Sequence, residues 1–248
     1  NDAVTQAKND GAASVASVNP TAQAKPAAKQ AIDDALKAKT DAIDANNDLT
    51  AEEKAKAKED AKAKADAAKQ AIDNATTNDA VTQAKNDGAA SVASVTPAAV
   101  VKTAAKQSID EALKAKNDEI DARTDLTDEE KAAAKSEAKA KADAVKATID
   151  NATTNAEVEQ AKVTGTTEVT SVNPEALTKS AAKQSIDEAL KAKTDEIDAR
   201  TDLTDEEKTA AKGDAKTKAD AAKTAIDNAT TNDAVTQAKN DGAASVAS

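Results

Sequence analysis

The side chains of this sequence that could do chemistry are lysines and carboxylates. Lys39, Lys116 and Lys193 each fall on a line of apolar residues. Desolvation there would lower an ammonium pKa and make a base or a nucleophile. At helical spacing, however, the methylenes of such a lysine cover the seam while the ammonium reaches out to water or a carboxylate. A structural role is expected of all three. The second candidate is an acidic stretch in which Asp44, Asn46, Asp48, Thr50 and Glu52 alternate as the ligands of a calcium loop do. The pattern fails at its sixth position, which is Leu49 where glycine is needed, and at its twelfth, which is Ala55 where glutamate is needed. In the second copy of the stretch Arg123 takes the third position. No calcium site is assigned. Asn74, Asn151 and Asn228 open Asn-Ala-Thr sequons, a match of three residues that carries little weight. They are read as loop and cap residues.

The residue types that are missing exclude more. The chain contains no Cys, His, Met, Trp, Tyr or Phe. Zinc, haem and iron–sulfur centres lose their usual ligands, and neither a Ser–His nor a Cys–His pair can be built. Nothing can stack on a nucleobase, and a net charge of −11 repels phosphate. No apolar run approaches the ~20 residues of a membrane span. No catalytic, cofactor-binding or metal-ligating residue is therefore assigned. An enzyme is not expected, nor a cofactor, a nucleic acid partner, membrane insertion or a small-molecule substrate. The chain is expected to be a piece of a longer one.

Most of the apolar content is alanine: Val, Ile and Leu together supply only 31 of 248 residues. Such a composition with a high net charge is a signature of disorder, but periodicity and caps oppose that reading. Residues 107–131 return as 184–208 with one change, Asn117 against Thr194, 77 residues apart. Residues 1–18 are identical to 78–95, again 77 apart, and 232–248 repeat them once more. An internal repeat of this kind decides the architecture. The expected division is a terminal short helix of a preceding repeat at 1–18, then repeats at 19–95, 96–172 and 173–248.

Each period reads as three helices. In the short one Val4, Ala7, Gly11, Val15 and Val18 fall at helical spacing. Glycine stands on this stripe in every copy, as Gly11, Gly88, Gly165 and Gly242, which points to close approach of a neighbouring helix over the missing side chain, the alternative being a break into two short helices. Val18-Asn19-Pro20, Val95-Thr96-Pro97 and Val172-Asn173-Pro174 read as an N-cap followed by proline at the first helical position. A long helix follows over about 97–123, with Val101, Ala105, Ile109, Leu113 and Ile120 on one face. The polar joint after it ends in Thr-x-x-Glu at Thr50, Thr127 and Thr204, a capping box that starts a second long helix. That helix, 51–74 in the first copy, has an alanine seam of Ala61, Ala65 and Ala68 with Ile72, suited to close packing over little buried area. It stops at Asn-Ala-Thr-Thr-Asn, where Thr77 or Asn78 caps the next short helix.

Three helices with short joints fold up-down-up. An odd number places the two ends of each unit far apart, so copies add lengthwise. The expected fold is all-α, tandem three-helix bundles joined end to end into an elongated rod, gaining about 40 Å per repeat.

The run Ala27–Gly88, with its Ala-Ile-Asp, Leu-Thr-x-Glu-Glu-Lys and Ile-Asp-Asn-Ala-Thr-Thr-Asn segments, resembles the domain-of-unknown-function family numbered 1542. The likeness covers essentially the whole chain. Those repeats occur in tandem in large wall-anchored surface proteins of Gram-positive bacteria. The resemblance implies an extracellular location at the bacterial cell surface and a stalk that projects a distal adhesive or biofilm-forming region from the wall. It offers no catalytic motif. The expected partners are host extracellular proteins or neighbouring surface proteins, and the chain is expected to be a monomer. The alternative is a weak, multivalent binding module for host matrix or plasma proteins. Against it, the chain has no aromatic residue and its only arginines are Arg123 and Arg200, whereas binding hot spots favour Trp, Tyr and Arg.

Overall fold

The computed structural model describes residues 1–18 and 22–248, and among them every regular element is an α-helix. The chain forms two compact units, residues 1–100 with 153–155, and residues 101–152 with 156–248.

In the first unit, α1 (Asp2–Ala16) precedes a bundle of α2 (Ala24–Asp44), α3 (Ala51–Asn74) and α4 (Asn78–Ala93). Lysine–aspartate pairs lace α2 to α3 in antiparallel register: Lys29 with Asp73, Lys69 with Asp33, and Lys58 with Asp44. Inside this ladder Ile32, Ala65, Ala68 and Ile72 pack with Val81 and Val92 of α4. The long apolar side chains are few, so alanine brings the helices close and the isoleucines fill the remaining space.

The second unit holds two such bundles: α5 (Val100–Ala122), α6 (Asp128–Asn151) and α7 (Asn155–Thr170), save the first residues of α5 and α7, then α8 (Leu177–Ala199), α9 (Asp205–Asn228) and α10 (Asn232–Ala247). The ladder recurs as Lys106–Asp150, Lys146–Asp110 and Lys135–Asp121. It returns again as Lys183–Asp227, Lys223–Asp187 and Lys212–Asp198. Ile109 and Ile149 centre one core, Ile186 and Ile226 the other. The glycines sit where the short helix crosses its neighbour. A Cβ at Gly88 would stand 2.4 Å from Ala68 Cβ, and one at Gly242 2.3 Å from Ala222 Cβ. Both helices run unbroken through their glycine.

The Thr-x-x-Glu boxes form as expected. Thr50, Thr127 and Thr204 each cap their helix, with the glutamate three residues on bonded back to the cap N–H. Leu49 and Leu126, just before two of the caps, are buried. Thr77 and Thr231, and not the asparagines after them, cap α4 and α10. The proline junctions differ from expectation. Pro97 and Pro174 lie three residues ahead of α5 and α8, in the connector that precedes each helix, and are not first helical residues. The reason is that these helices are capped from a distance by a glutamate. Asn19 and Pro20, the first copy of the junction, lie outside the described residues.

Candidate functional site: the joint between bundles

The joint begins with the capping box of α6. Glu130 Oε2 accepts the Thr127 N–H at 3.0 Å and so closes the start of its own helix. Its other oxygen, Oε1, accepts the Thr178 N–H at 2.9 Å, in the first turn of α8 in the following bundle. One carboxylate thus caps two helices in two successive repeats, and both N-terminal dipoles favour its charge. Burial pushes the Glu130 carboxyl up, but the N–H donors of Thr127 and Thr178 outweigh it and hold the pKa below its ordinary value.

Around this carboxylate the loop before α6 meets the loop between α9 and α10. Asp128 N–H donates to the Thr230 carbonyl at 2.7 Å, and Asn232 N–H donates to Glu129 Oε2 at 3.0 Å. Lys179, only 4% exposed, donates at once to the Asp227 carbonyl at the end of α9, 2.8 Å away, and to the Thr124 carbonyl of the preceding bundle at 2.9 Å. Arg123 forks onto Asp125 at 2.7 and 2.6 Å and reaches the Pro174 carbonyl at 3.3 Å. That guanidinium holds the Asp125 carboxyl down at about 2. Ile120, Leu126, Ala134, Ala138 and Val172 fill the space behind these bonds. The polar groups named here are met by one another, so the arrangement fixes the position of one bundle on the next.

The same pattern exists in the first unit. Ala51 N–H donates to Thr153 O at 2.7 Å, Asn155 N–H to Glu52 Oε2 at 3.1 Å, and Val100 N–H to Glu53 Oε1 at 2.9 Å. The spacing from glutamate to asparagine is 103 residues in both places.

The stripe lysines bond to groups of the protein itself. Lys39 and Lys193 donate to the carbonyls of Val95 and Ala247 at the ends of the short helices, at 3.0 and 2.8 Å, where a cation meets the negative end of the dipole. Lys116 is bonded to Glu119 at 2.7 Å. In the acidic stretch Asn46 Oδ1 accepts the Asp48 N–H at 2.9 Å, turning the loop locally. Among the described residues no cluster of three or more potential metal ligands occurs, and no helix is long and apolar enough to cross a membrane.

Sequence reasoning missed the second bond of Glu130 and the buried Lys179. The available signal was periodic: Lys25, Lys102 and Lys179 recur at 77 residues and stand three before a stripe alanine. A lysine at that place in a first turn has only helix ends within reach.

Comparison with known proteins matches a profile of the family described as Domain of Unknown Function (DUF1542) to residues 24–100, 101–177 and 178–248. Among curated proteins, the chain is 32% identical over 241 residues to the "Extracellular matrix-binding protein EbhA" of Staphylococcus aureus strain Mu3, covering 96% of this chain and 4% of that protein. It is equally similar to the "Extracellular matrix-binding protein ebh" of strain JH9, of which it covers 2%. For the EbhA protein of strain Newman the share is 7%. The chain thus spans a small fraction of the relatives it matches. No solved structure matches it.

Proposed function

Because this chain belongs to the DUF1542 family, we propose that it is a run of spacer repeats in a bacterial surface protein, holding a distal matrix-binding region away from the cell wall. The repeats lie outside the cell, in the setting in which the staphylococcal relatives are described as binding extracellular matrix. The observation that carries the spacer reading is the joint. Successive bundles are bonded through Glu130, Lys179 and the Asp128–Thr230 pair instead of being tied by a free linker. A spacer needs such a joint, since a flexible one would add contour length but little reach. The uniform charged faces and the missing aromatic residues agree with a surface that has no binding task of its own.

Small-angle scattering on chains of one, two and three repeats tests this. The maximum dimension grows by about 40 Å for each repeat added if the spacer reading holds. A dimension that stays nearly constant rejects it. The relatives' description favours one other reading, that the repeats themselves hold matrix proteins weakly and in number. Binding of the one- and three-repeat chains to immobilised matrix protein separates the two: a spacer shows no saturable binding at either copy number, whereas a multivalent binder gains steeply with copies.

A further inference from the structure

The short helix of the second bundle takes the same seat as its counterparts but is built from different residues. α4 and α10 are identical in sequence, and α7 shares with them two buried valines, Val158 and Val169, and the central glycine, Gly165. Past that glycine the copies part. Where α4 has Ala89, Ala90 and Ala93, α7 has Thr166, Thr167 and Thr170. Val and Thr supply seven of the ten residues 163–172, against two of the ten residues 86–95. Such β-branched side chains lose rotamer freedom in a helix and suit an extended chain. The hydroxyls work in the same direction. Thr167 donates to the Val163 carbonyl at 3.1 Å and Thr170 to the Thr166 carbonyl at 2.8 Å, bonds of a kind that weaken and bend a helix.

Packing does not make up the difference in this half of the helix. Val145 stands where the first bundle has Ala68 and closes on Gly165, which adds contact at the middle of α7. Beyond it the anchors are those of the other copy: Val169 is fully buried, as Val92 is, and Val172 is buried, as Val95 is. Thr167 and Thr170 are exposed, and so are Ala90 and Ala93. Unwinding thus gives up the same two valines in either bundle, but in the second it gives up a much poorer helix.

We infer that the second half of α7, from Thr166 to the connector at Val172, is a local opening unit. It unwinds and rewinds while the α5–α6 hairpin and the bonds of Glu130 and Lys179 stay in place. The helical residues Thr166–Thr170 gain about 9 Å on becoming extended, at ~1.5 against ~3.3 Å per residue. The second bundle is therefore the one that gives first. Its use, letting a loaded spacer yield at one fixed place, rests on the spacer reading; the opening itself does not.

Native-state hydrogen exchange of the full chain tests this, with α4 as the comparator. Corrected for intrinsic rates, the amides of Glu168–Val172 should exchange faster than those of Ser91–Val95. Thr167→Ala with Thr170→Ala puts the residues of α4 on two exposed positions of α7, and should slow exchange there by about eightfold. The reverse pair, Ala90→Thr with Ala93→Thr, should speed exchange over Ser91–Val95 by about the same factor. Neither pair should move the amides of Ile109 and Ile149 in the hairpin core. Equal protection of the two segments in the unaltered chain overturns the inference, as does an α7 segment that does not slow with alanine. So does exchange over Glu168–Val172 that only matches Ile109 and Ile149, because the bundle then opens as a whole. The scattering series is a separate measurement, so the opening unit and the spacer can fail independently.

Discussion

Glu130 and Lys179 are the residues on which the joint between the second and third bundles turns. The Glu130 carboxyl lies below its ordinary pKa, so its contribution is complete above the unfolded value, near 4.3, and is lost as the pH falls through the lower folded value. Glu130→Gln is expected to lower unfolding stability by about 1 kcal/mol at pH 7. The difference from the unaltered chain should shrink as the pH falls through that lower folded value, as read by urea unfolding followed by circular dichroism. A gap that stays constant with pH would show that the charge is not the cause. Lys179→Met removes the charged donor that the carbonyls of Thr124 and Asp227 share and should cost about 1.5 kcal/mol. Its neighbour gives the control. Lys183 pairs with Asp227 in a setting 38% and 54% exposed, and Lys183→Met should change stability by no more than about 0.5 kcal/mol.

At the scale of the helix, most of the structure was legible in local pattern. The Thr-x-x-Glu boxes, the alanine seam over Ala61–Ala68 and the stripe of the short helix depend on residues a turn or two apart, and each formed where the spacing placed it. The starts of α5 and α8 did not follow from pattern, because their cap is a glutamate 47 or 48 residues away and no local rule reaches that far. The glycines show how the same residue carries opposite meanings. A Cβ at Gly165 would stand 2.1 Å from Val145 Cγ1, whereas at Gly213 nothing lies within 4 Å. Gly165→Ala should therefore destabilise by about 1–2 kcal/mol, overpacking outweighing the gain in helix propensity. Gly213→Ala should stabilise by about 0.8 kcal/mol, since only the propensity acts there. Thermal unfolding of the two variants checks both signs, and equal signs would refute the account of close approach.

For the whole molecule the question is how far one bundle knows of the next. Repeat proteins gain stability from nearest-neighbour interfaces, and in the second unit that interface consists mainly of bonds to charged groups. The bundles of α5–α7 and α8–α10 should exchange their core amide hydrogens with one common opening free energy. Glu130→Gln combined with Lys179→Met should split this into two values; if both variants leave the bundles coupled, the polar joint is not the connection. Hydrogen exchange suits the test because a chain without Trp, Tyr or Phe offers no ring signal to follow. The parallel course of α8 and α10, seen where Ile186 meets Gly242 and Lys193 reaches Ala247, has a mechanical consequence. A pull on the chain arrives at the start of α8 and leaves at the end of α10, at opposite ends of the bundle. The helices are then loaded in shear along their length, so the ladder and the alanine seam bear the force together rather than one contact after another. Such a bundle yields late and as a whole, at a rate set by its unfolding barrier, and each one that yields releases slack before the next is strained.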